Sequence, residues 1–469
     1  MSLSVVGTVG SILGVFFELY GETHSPEQIV WLLTFPSLFI GVGNFLVLPL
    51  SLVFGRRPVF FISTIGLCLA TIGCAVSNSY SGQLAGRIIQ GLTTGCTESV
   101  LPLILSDITF LHQRSTIYGY YWASQSLLSA VWGIVSSYEA IGISWRWFYG
   151  IYVIFIGVGS IIVFFLTTET KFKRPAANID GQVVITDEFG VTRVLAEEEL
   201  RDNLNLVESS HQLDANTPKK TYLQSLSLWS GKSPRAIRTI LTCYLQMVES
   251  LTSPGVVFAL LCAAIVLGCS VGMSLTYNTV LTTVYSWAAI DVGLINIGTI
   301  PACLLAMAYA GFLGDKITVW LAKRNDGVHI PEHRLILLIF PGIIGFGALF
   351  LYGATASNTS GNLTWWGPYM GWNIYQFTFV CMLIITTTFA AEVWSHNPGP
   401  AIVMVVGGKN LIAFGYSYGL TPMVSDHGYL WACGIVIPPQ LSNKMLTFLA
   451  CGNLRWDLFV GDSRLFPES

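Results

Sequence analysis

The chain has 469 residues, of which 53% are hydrophobic and only 10% are charged, and its formal net charge is −3. Soluble globular proteins carry about 25% charged residues, so this composition excludes an ordinary soluble protein. No basic patch points to nucleic acid, and no nucleotide-binding loop, catalytic triad or paired-acid arrangement is present. We therefore predict an integral membrane protein that is not an enzyme and that needs neither a cofactor nor a metal.

Apolar runs long enough to cross a membrane, about 20 residues each, recur along the chain. The first half contains six, and we number them spans 1 to 6: 3–20, 28–53, 58–77, 84–106, 116–138 and 145–166. The second half contains five, which we number spans 7 to 11: 254–284, 291–313, 335–353, 366–391 and 399–423. We therefore expect an N-terminal bundle at 1–166, a central loop at 167–253, a C-terminal bundle at 254–437 and an atypical tail at 438–469.

The central loop and the chain end carry further signals. Residues 181–195 contain two short apolar runs around a Glu-Phe-Gly turn, which predicts a hairpin. Residues 235–250 predict an amphipathic helix at the membrane interface. Residues 428–437 begin like a twelfth span, but Pro438 and Pro439 follow after about half the required length. The last span is therefore predicted to be truncated.

The positions of lysine and arginine predict the orientation in the membrane. If the N-terminus is cytoplasmic, the loops on that side, including the central loop, hold 17 of the 23 basic residues. The same orientation places two glycosylation sequons, at Asn358 and Asn362, outside the membrane between spans 9 and 10. We predict a multi-pass protein with a cytoplasmic N-terminus and glycosylation at these two asparagines.

Span 4 carries two full charges, Arg87 and Glu98, within the membrane. At about 100° per residue, Arg87, Thr94 and Glu98 share a stripe on one helix face, and Gln90 borders it. Arg87 and Glu98 are about 16 Å apart along the axis, so each needs its own partner. Intramembrane charges are costly and face a partner or a wet cavity. Each either braces a neighbouring helix or serves the substrate, and for Glu98 we favour attraction of a cation or proton transfer.

Other polar side chains within the predicted spans are candidates for the same cavity. They could bind the substrate or a proton, although Glu18 could be merely interfacial and the tyrosine could simply pack. The set comprises Glu18, Asn278, Asn373, Gln376, Lys409, Asn410 and Tyr416. Asp107 and Arg114, at the cytoplasmic end of spans 4 and 5, are predicted to lock an inner gate or the helix ends.

Three motifs stand out: Gly55, Arg56 and Arg57 in the first gating loop, Gly311, Asp315 and Lys316 in the second, and Arg87, Gln90 and Gly91 in span 4. They resemble motifs of the major facilitator superfamily of transporters, and the resemblance covers about residues 3 to 437. The segments 106–115, 145–152, 322–335 and 407–422 resemble fungal members of its drug:proton antiporter branch, in particular the polyamine and histidinol carriers. Leu52 and Val53 stand where the first loop of the family has Asp and Arg, and span 5 lacks the Gly-Pro pair of antiporters, so uptake and export both stay open.

The resemblance implies an all-α fold of two pseudo-symmetric six-helix bundles, with 11 to 12 spans here, that rock about a central site. It also implies a monomer in a fungal plasma membrane, with a small-molecule substrate, the lipid bilayer and possible protons as partners. With Glu98 as an acidic site, we predict a carrier of a small organic cation. Two alternatives stay open: a sugar or anion facilitator that uses Arg87 and Lys409, and a membrane sensor or incomplete gene product that does not transport.

Overall fold

The computed structural model describes residues 2–109, 113–167, 169, 177–179, 182–186, 192–194, 236–325, 330–357, 364–394 and 398–434. Within them, the part that crosses the membrane is entirely helical. In the first half the helices are Ser2–Gly7 and Val9–Tyr20 (span 1), Pro26–Phe54 (span 2), Arg56–Val76 (span 3), Tyr80–Ile108 (span 4), Arg114–Glu139 (span 5) and Trp145–Leu166 (span 6), with a π-helical turn at Ala140–Ser144.

The second half continues this pattern with five spans. Three of them include 3-10 or π-helical segments within the described residues. The helices are Pro254–Thr279 with the π turn Val280–Val284 (span 7); the 3-10 segment Ala289–Gly298, Thr299–Ala306, the π segment Met307–Leu313 and Gly314–Arg324 (span 8); the 3-10 segment Pro331–Leu338 with Ile339–Ala356 (span 9); Trp366–Val393 (span 10); and Pro398–Gly434 (span 11). The last helix has a kink at Gly428, where φ is 80°.

The structure differs from the predicted spans at three places. The predicted start of a twelfth span, in its described part 428–434, continues the helix of span 11 beyond the kink at Gly428. Span 1 is interrupted at Thr8, next to helix Ser2–Gly7. Span 8 runs through Arg324, so the second gating motif, predicted as a loop, lies on a helix. The basic residues Lys323 and Arg324 in its last turn favour this extension because cations stabilise the negative end of the helix dipole.

Ten of the described helices are long and apolar enough to cross a membrane, and span 5 is not among them. Its 26 residues still reach about 39 Å, more than the ~30 Å of a bilayer core. Its low hydropathy comes from side chains that face other helices instead of lipid. Ser129 donates to Ser4 Oγ at 3.1 Å, and Ser136 Oγ lies 2.7 Å from Ser11 Oγ.

The two halves meet along two seams. Span 2 packs along span 11, and span 5 packs along span 8. In span 6 only 17% of the residues in the apolar stretch are buried inside the protein, whereas in span 10 the corresponding share is 83%. Exposed side chains on spans 3 and 6, such as Ile62, Leu69 and Ile161, therefore form a lipid-facing surface. Span 10 lies in the interior, and a cavity lies between the two seams.

Spans 2 and 4 approach closely through glycines. A Cβ atom at Gly91 would lie 2.4 Å from the carbonyl oxygen of Pro36, and one at Gly95 would lie 2.6 Å from that of Ile40. Small residues permit such close contact between membrane helices. This close packing holds span 4, with its charged stripe, firmly within the first half.

We expect Gly91→Val to lower the stability of the protein, by about 1–3 kcal/mol as for other overpacked cores. The reason is that the new side chain must displace backbone of span 2. Thermal unfolding of the detergent-solubilised protein, followed by tryptophan fluorescence, measures the loss. Gly73→Val is the matched control, because no atom lies within 4 Å of a Cβ at Gly73. Equal unfolding temperatures for both variants would contradict this packing.

The central segment contains a small sheet and one long helix. Strands β1 (Ala177–Ile179), β2 (Gln182–Thr186) and β3 (Thr192–Val194) form an antiparallel sheet in that order. The predicted hairpin is confirmed as β2 and β3. A helix is confirmed at Ala236–Ser250, and it packs against spans 2 and 11. Its location at the membrane interface stays a prediction.

Candidate functional site

A cavity of about 200 Å³ lies between the two seams, and we call it the central cavity. Residues of eight spans line it, and spans 3, 6 and 9 contribute none of the described lining residues. Its wall combines aromatic side chains with uncharged polar ones. The aromatic residues are Trp122, Tyr277, Trp372 and Phe379, and the polar ones include Gln125, Asn296, Gln376 and Asn410. A mainly apolar hollow with a few converging polar groups is typical of a small-molecule site.

Glu98 in the wall of this cavity is bonded to both halves of the protein. Its Oε1 atom lies 2.9 Å from Lys409 Nζ of span 11. Its Oε2 atom accepts from Asn410 Nδ2 at 2.6 Å and from Asn44 Nδ2 at 3.3 Å. The residue is 3% exposed. The carboxylate therefore has three donors, two of which belong to the second half.

Lys409 is itself buried, with 1% of its surface exposed. Besides its ion pair with Glu98, its Nζ atom lies 5.4 Å from the centre of the Trp122 ring, close enough for a cation–π contact. Glu98 and Lys409 are the charged residues among those that line the central cavity in the described chain. They compensate each other, which is the condition for burying ions.

Arg87, the other predicted charge of span 4, binds backbone carbonyls and does not line the central cavity. It donates to Val5 O and Val6 O, both at 2.8 Å, and to Leu32 O at 3.1 Å. Val5 and Val6 lie in the last turn of helix Ser2–Gly7, before the interruption of span 1, where carbonyls lack helical partners. Arg87 therefore caps a helix end inside the membrane.

Gln90 and Thr94 also connect span 4 to its neighbours. Gln90 Oε1 accepts from Arg87 at 3.0 Å, and Gln90 Nε2 donates to Thr71 Oγ1 at 3.0 Å. Thr94 Oγ1 donates to Ser2 O at 3.4 Å. The predicted stripe is thus buried as a whole, but its members bind different partners: only Glu98 reaches the central cavity.

Some of the other predicted binding residues line the central cavity, and others lie outside it. Gln376 and Asn410 line the cavity with Lys409. Asn373 is bonded to Ile295 O and Tyr369 O, and Asn278 donates to Ser11 O at 3.3 Å. Both are outside the lining, as are Tyr416, which lies against Gly268, and the exposed Glu18.

The first gating motif lies at the end of the bundle that bears most of the basic residues, which we call the basic end. Gly55 has φ 105°, a conformation that glycine adopts easily. The backbone amides of Arg56 and Arg57 donate to the carboxylate of Glu169, at 3.1 and 3.2 Å. Arg57 also donates to Phe164 O at 2.7 Å. This motif therefore joins span 3 to the end of span 6.

The second gating motif joins the two halves at the basic end. Asp315 accepts from the backbone amides of Ser115 and Thr116 at the start of span 5, at 3.3 and 2.8 Å. Arg334 contacts Asp315 at 3.4 Å and binds Glu392 through two hydrogen bonds of 2.6 Å. Asp315 thereby binds the helix start, where orphan amides favour a carboxylate.

The remaining predicted gating residues occupy varied positions. Gly311 lies where spans 5 and 8 pack closely, since a Cβ there would be 3.5 Å from Ser115 O. Lys316 is exposed, and Arg114 begins span 5. The side chain of Asp107 and both sequon residues, Asn358 and Asn362, lie outside the described residues.

Several residues of these sites were not predicted from the sequence. Asn44 on span 2 and Trp122 on span 5 contact the central ion pair. Asn44 is polar within an apolar run, a signal that could have identified it. Glu169 binds the first gating motif and Glu392 binds Arg334, and no spacing in the sequence relates them to their partners. Leu52, at the place of the family's Asp, packs in an apolar cluster with Cys243 and Met404.

The fold and the central cavity define a polytopic membrane carrier, with two halves around a buried site. The profile of the Major Facilitator Superfamily matches residues 1–436. The chain therefore belongs to this superfamily, and it is a transporter and not an enzyme. This family and the helices confirm the predicted all-α fold class, and the prediction of a multi-pass membrane protein is confirmed as well.

Individual relatives are distant in sequence. An uncharacterized MFS-type transporter from Schizosaccharomyces pombe is 25% identical over 79% of this chain and 67% of its own length. The MFS-type transporter atr4 of Stereocaulon alpinum is 22% identical over 99% of this chain and 75% of its own. The efflux pump radE of Floropilus chiversii is 23% identical over 78% of this chain and 61% of its own length. The crystal structure of the human organic anion transporter MFSD10 superposes with a TM-score of 0.57 at 15% identity, covering 94% of this chain and 95% of that one.

Proposed function

We propose that the protein is a secondary transporter that moves a small organic cation, such as a polyamine or another amine, by alternating access through the central cavity with proton coupling. One observation carries the proposal: the Glu98 carboxylate in the cavity wall already holds an ammonium group, that of Lys409, at 2.9 Å. An amine of the substrate meets the same carboxylate, the same amides and the same Trp122 ring. The surrounding aromatic residues suit an organic cation with an apolar body.

A second candidate function is transport of an anion or a sugar, and Lys409 supports it. Once detached from Glu98, its ammonium group would bind a carboxylate in the same cavity. Arg87, which the sequence suggested as a further anion ligand, is engaged with three carbonyls. The anion alternative therefore depends on Lys409 alone.

We further propose that the basic end faces the cytoplasm and that the protein acts as a monomer in the plasma membrane. The distribution of the basic residues supports this orientation. We also propose that residues 1–166 and 254–437 are the two moving bundles. The seams between spans 2 and 11 and between spans 5 and 8 support this division, because they are where the two would slide on each other.

Uptake of labelled spermidine into cells that express the protein tests the function. Glu98→Gln is expected to lower the initial uptake rate per transporter by at least about tenfold, because a hydrogen bond to a charged group contributes about 1.5–3 kcal/mol. Glu18→Gln removes an exposed carboxylate outside the cavity and should leave uptake unchanged. The amount of each variant in the membrane is measured in parallel.

Competition separates the two candidate functions. Excess unlabelled amine should block uptake, whereas excess hexose or dicarboxylate should not. Uptake of a dicarboxylate that spermidine does not inhibit would overturn the cation proposal in favour of the anion candidate. Normal spermidine uptake by Glu98→Gln would remove Glu98 from the mechanism.

A further inference from the structure

The environment of Lys409 is that of a bound amine ligand. The ammonium group is covered, forms an ion pair with Glu98 at 2.9 Å and lies 5.4 Å from the centre of the Trp122 ring. It reaches this position from span 11, whereas Glu98 belongs to span 4 of the other half. A free amine that binds Glu98 must therefore first displace an amine that the protein itself supplies.

We propose that Lys409 is a tethered competitor of the substrate and the proton carrier of the cycle: each monovalent cation that binds Glu98 displaces Lys409, which then releases one proton. The inference rests on the proposed function and adds how the proton coupling arises. In this proposal Lys409, and not a carboxylate, carries the proton. One cation is then exchanged for one proton.

Charge balance is the physical reason. With Glu98 and Lys409 paired, the charged lining of the central cavity sums to zero. A monovalent cation on Glu98 leaves the Lys409 ammonium buried without a counter-ion, which is strongly unfavourable. A buried group in this position neutralises instead of keeping its charge. The site therefore admits a cation only if a positive charge leaves.

The step is balanced in atoms and charge. An N–H bond of the Lys409 ammonium breaks, the electron pair stays on Nζ, and the proton passes to water in the cavity. When the substrate leaves on the other side of the membrane, Nζ takes a proton from water and pairs with Glu98 again. Each turnover thus moves one cation in one direction and one proton in the other.

The other groups around Lys409 are poor proton carriers. Asn44 and Asn410, on spans 2 and 11, are amides that do not titrate. Tyr121, on span 5, uses its hydroxyl to donate to Thr97 O at 3.0 Å. Tyr277 of span 7 also lines the cavity, and its phenol is neutral at physiological pH. Among the described residues facing the pair, Glu98 is the one other group that can change charge there.

The pair also links occupancy to movement. Because Lys409 and Asn410 of the second half bind Glu98 of the first, the two halves are tied across the cavity in its resting state. A substrate that takes over Glu98 removes this tie while it is bound. Loading of the site therefore breaks one of the ties between the halves, while the contacts of Asp315 with span 5 at the basic end remain.

Purified protein in liposomes tests the inference with labelled methylguanidinium, a monovalent cation that keeps its charge at all usable pH values. The membrane potential is clamped with valinomycin and potassium, and an internal pH dye reports protons. For the unaltered protein we expect about one proton out for each cation taken up. We expect Lys409→Gln to take up the cation with a lower KM, because the competitor is gone.

Two further variants keep the test decisive. Lys409→Arg preserves the ion pair, but a guanidinium does not deprotonate in proteins, so proton-coupled uptake should be lost even though the folded yield is normal. Lys323→Gln changes an exposed lysine and should behave as the unaltered protein.

The outcomes separate the inference from the proposed function. If no form of the protein takes up any cation, the proposed function fails. If the unaltered protein takes up the cation without protons, or if Lys409→Arg keeps the ratio of one to one, the function stands and the role of Lys409 is wrong. Proton uptake together with a carboxylate probe would overturn both in favour of Glu98 as the carrier.

Discussion

Replacing Arg87 by methionine is expected to remove most of the folded protein. The side chain is completely buried, and its guanidinium donates to three carbonyls and to Gln90. Methionine leaves these acceptors without a donor, and breaking a buried charged arrangement costs about 3–5 kcal/mol. Such a loss is a large part of a typical total stability of about 5–15 kcal/mol. Size-exclusion chromatography and the thermal unfolding temperature measure the effect.

The matched control is Arg146→Met. Arg146 is exposed, donates to Asn78 at 2.7 Å and lies over the Trp145 ring, so its loss should cost little. If Arg87→Met were as stable as this control but had lost substrate binding, Arg87 would serve the substrate and not the interrupted helix of span 1.

The second large effect is expected at the basic end, for Arg334→Met. Arg334 is 2% exposed and neutralises both Glu392 and Asp315. Its removal leaves two buried carboxylates, so we expect a loss of about 3–5 kcal/mol in the free energy of unfolding. The double variant Arg334→Met with Glu392→Met should recover part of this loss, because an apolar pair of similar volume is often as stable as a buried ion pair.

Denaturant unfolding of the two single variants and the double variant gives the coupling energy, which we expect to be about 1–3 kcal/mol for groups in direct contact. Lys316→Met is the control, since Lys316 is exposed beside Asp315. Strictly additive losses would show that Arg334 and Glu392 do not act as a pair.

The membrane helices could be predicted well from the sequence. A helix satisfies its backbone hydrogen bonds within lipid, and its apolar side chains appear in the sequence as a run of about 20 residues. Span 5 is instructive because its apolar run is weak, yet its serines bind Ser4 and Ser11 of span 1. The interruption at Thr8 could not be predicted from hydropathy, because the arginine that binds the carbonyls there, Arg87, lies 79 positions away in the chain. Hydropathy identifies segments that cross the bilayer but not where a segment breaks.

The candidate site was predictable only in part. Helical periodicity placed Glu98 on a buried face of span 4, and its burial agrees with this. Its partner Lys409 lies 311 residues further along the chain, and a single sequence does not show which polar faces meet. The same limit applies to Glu392, which joins Arg334 from a different span. Periodicity gives the face of each helix, whereas pairing follows from how the halves assemble.

The interruption of span 1 has a mechanical consequence. Helix Ser2–Gly7 is fastened to span 4 through Arg87, whereas Val9–Tyr20 lies against span 7, where Asn278 donates to Ser11 O. A displacement of span 7 would therefore act first on Val9–Tyr20, and the interruption at Thr8 separates this piece from the part that Arg87 holds. Thr8 also lines the central cavity. The interruption of span 1 therefore lies in the wall of the cavity in which we propose that the substrate binds.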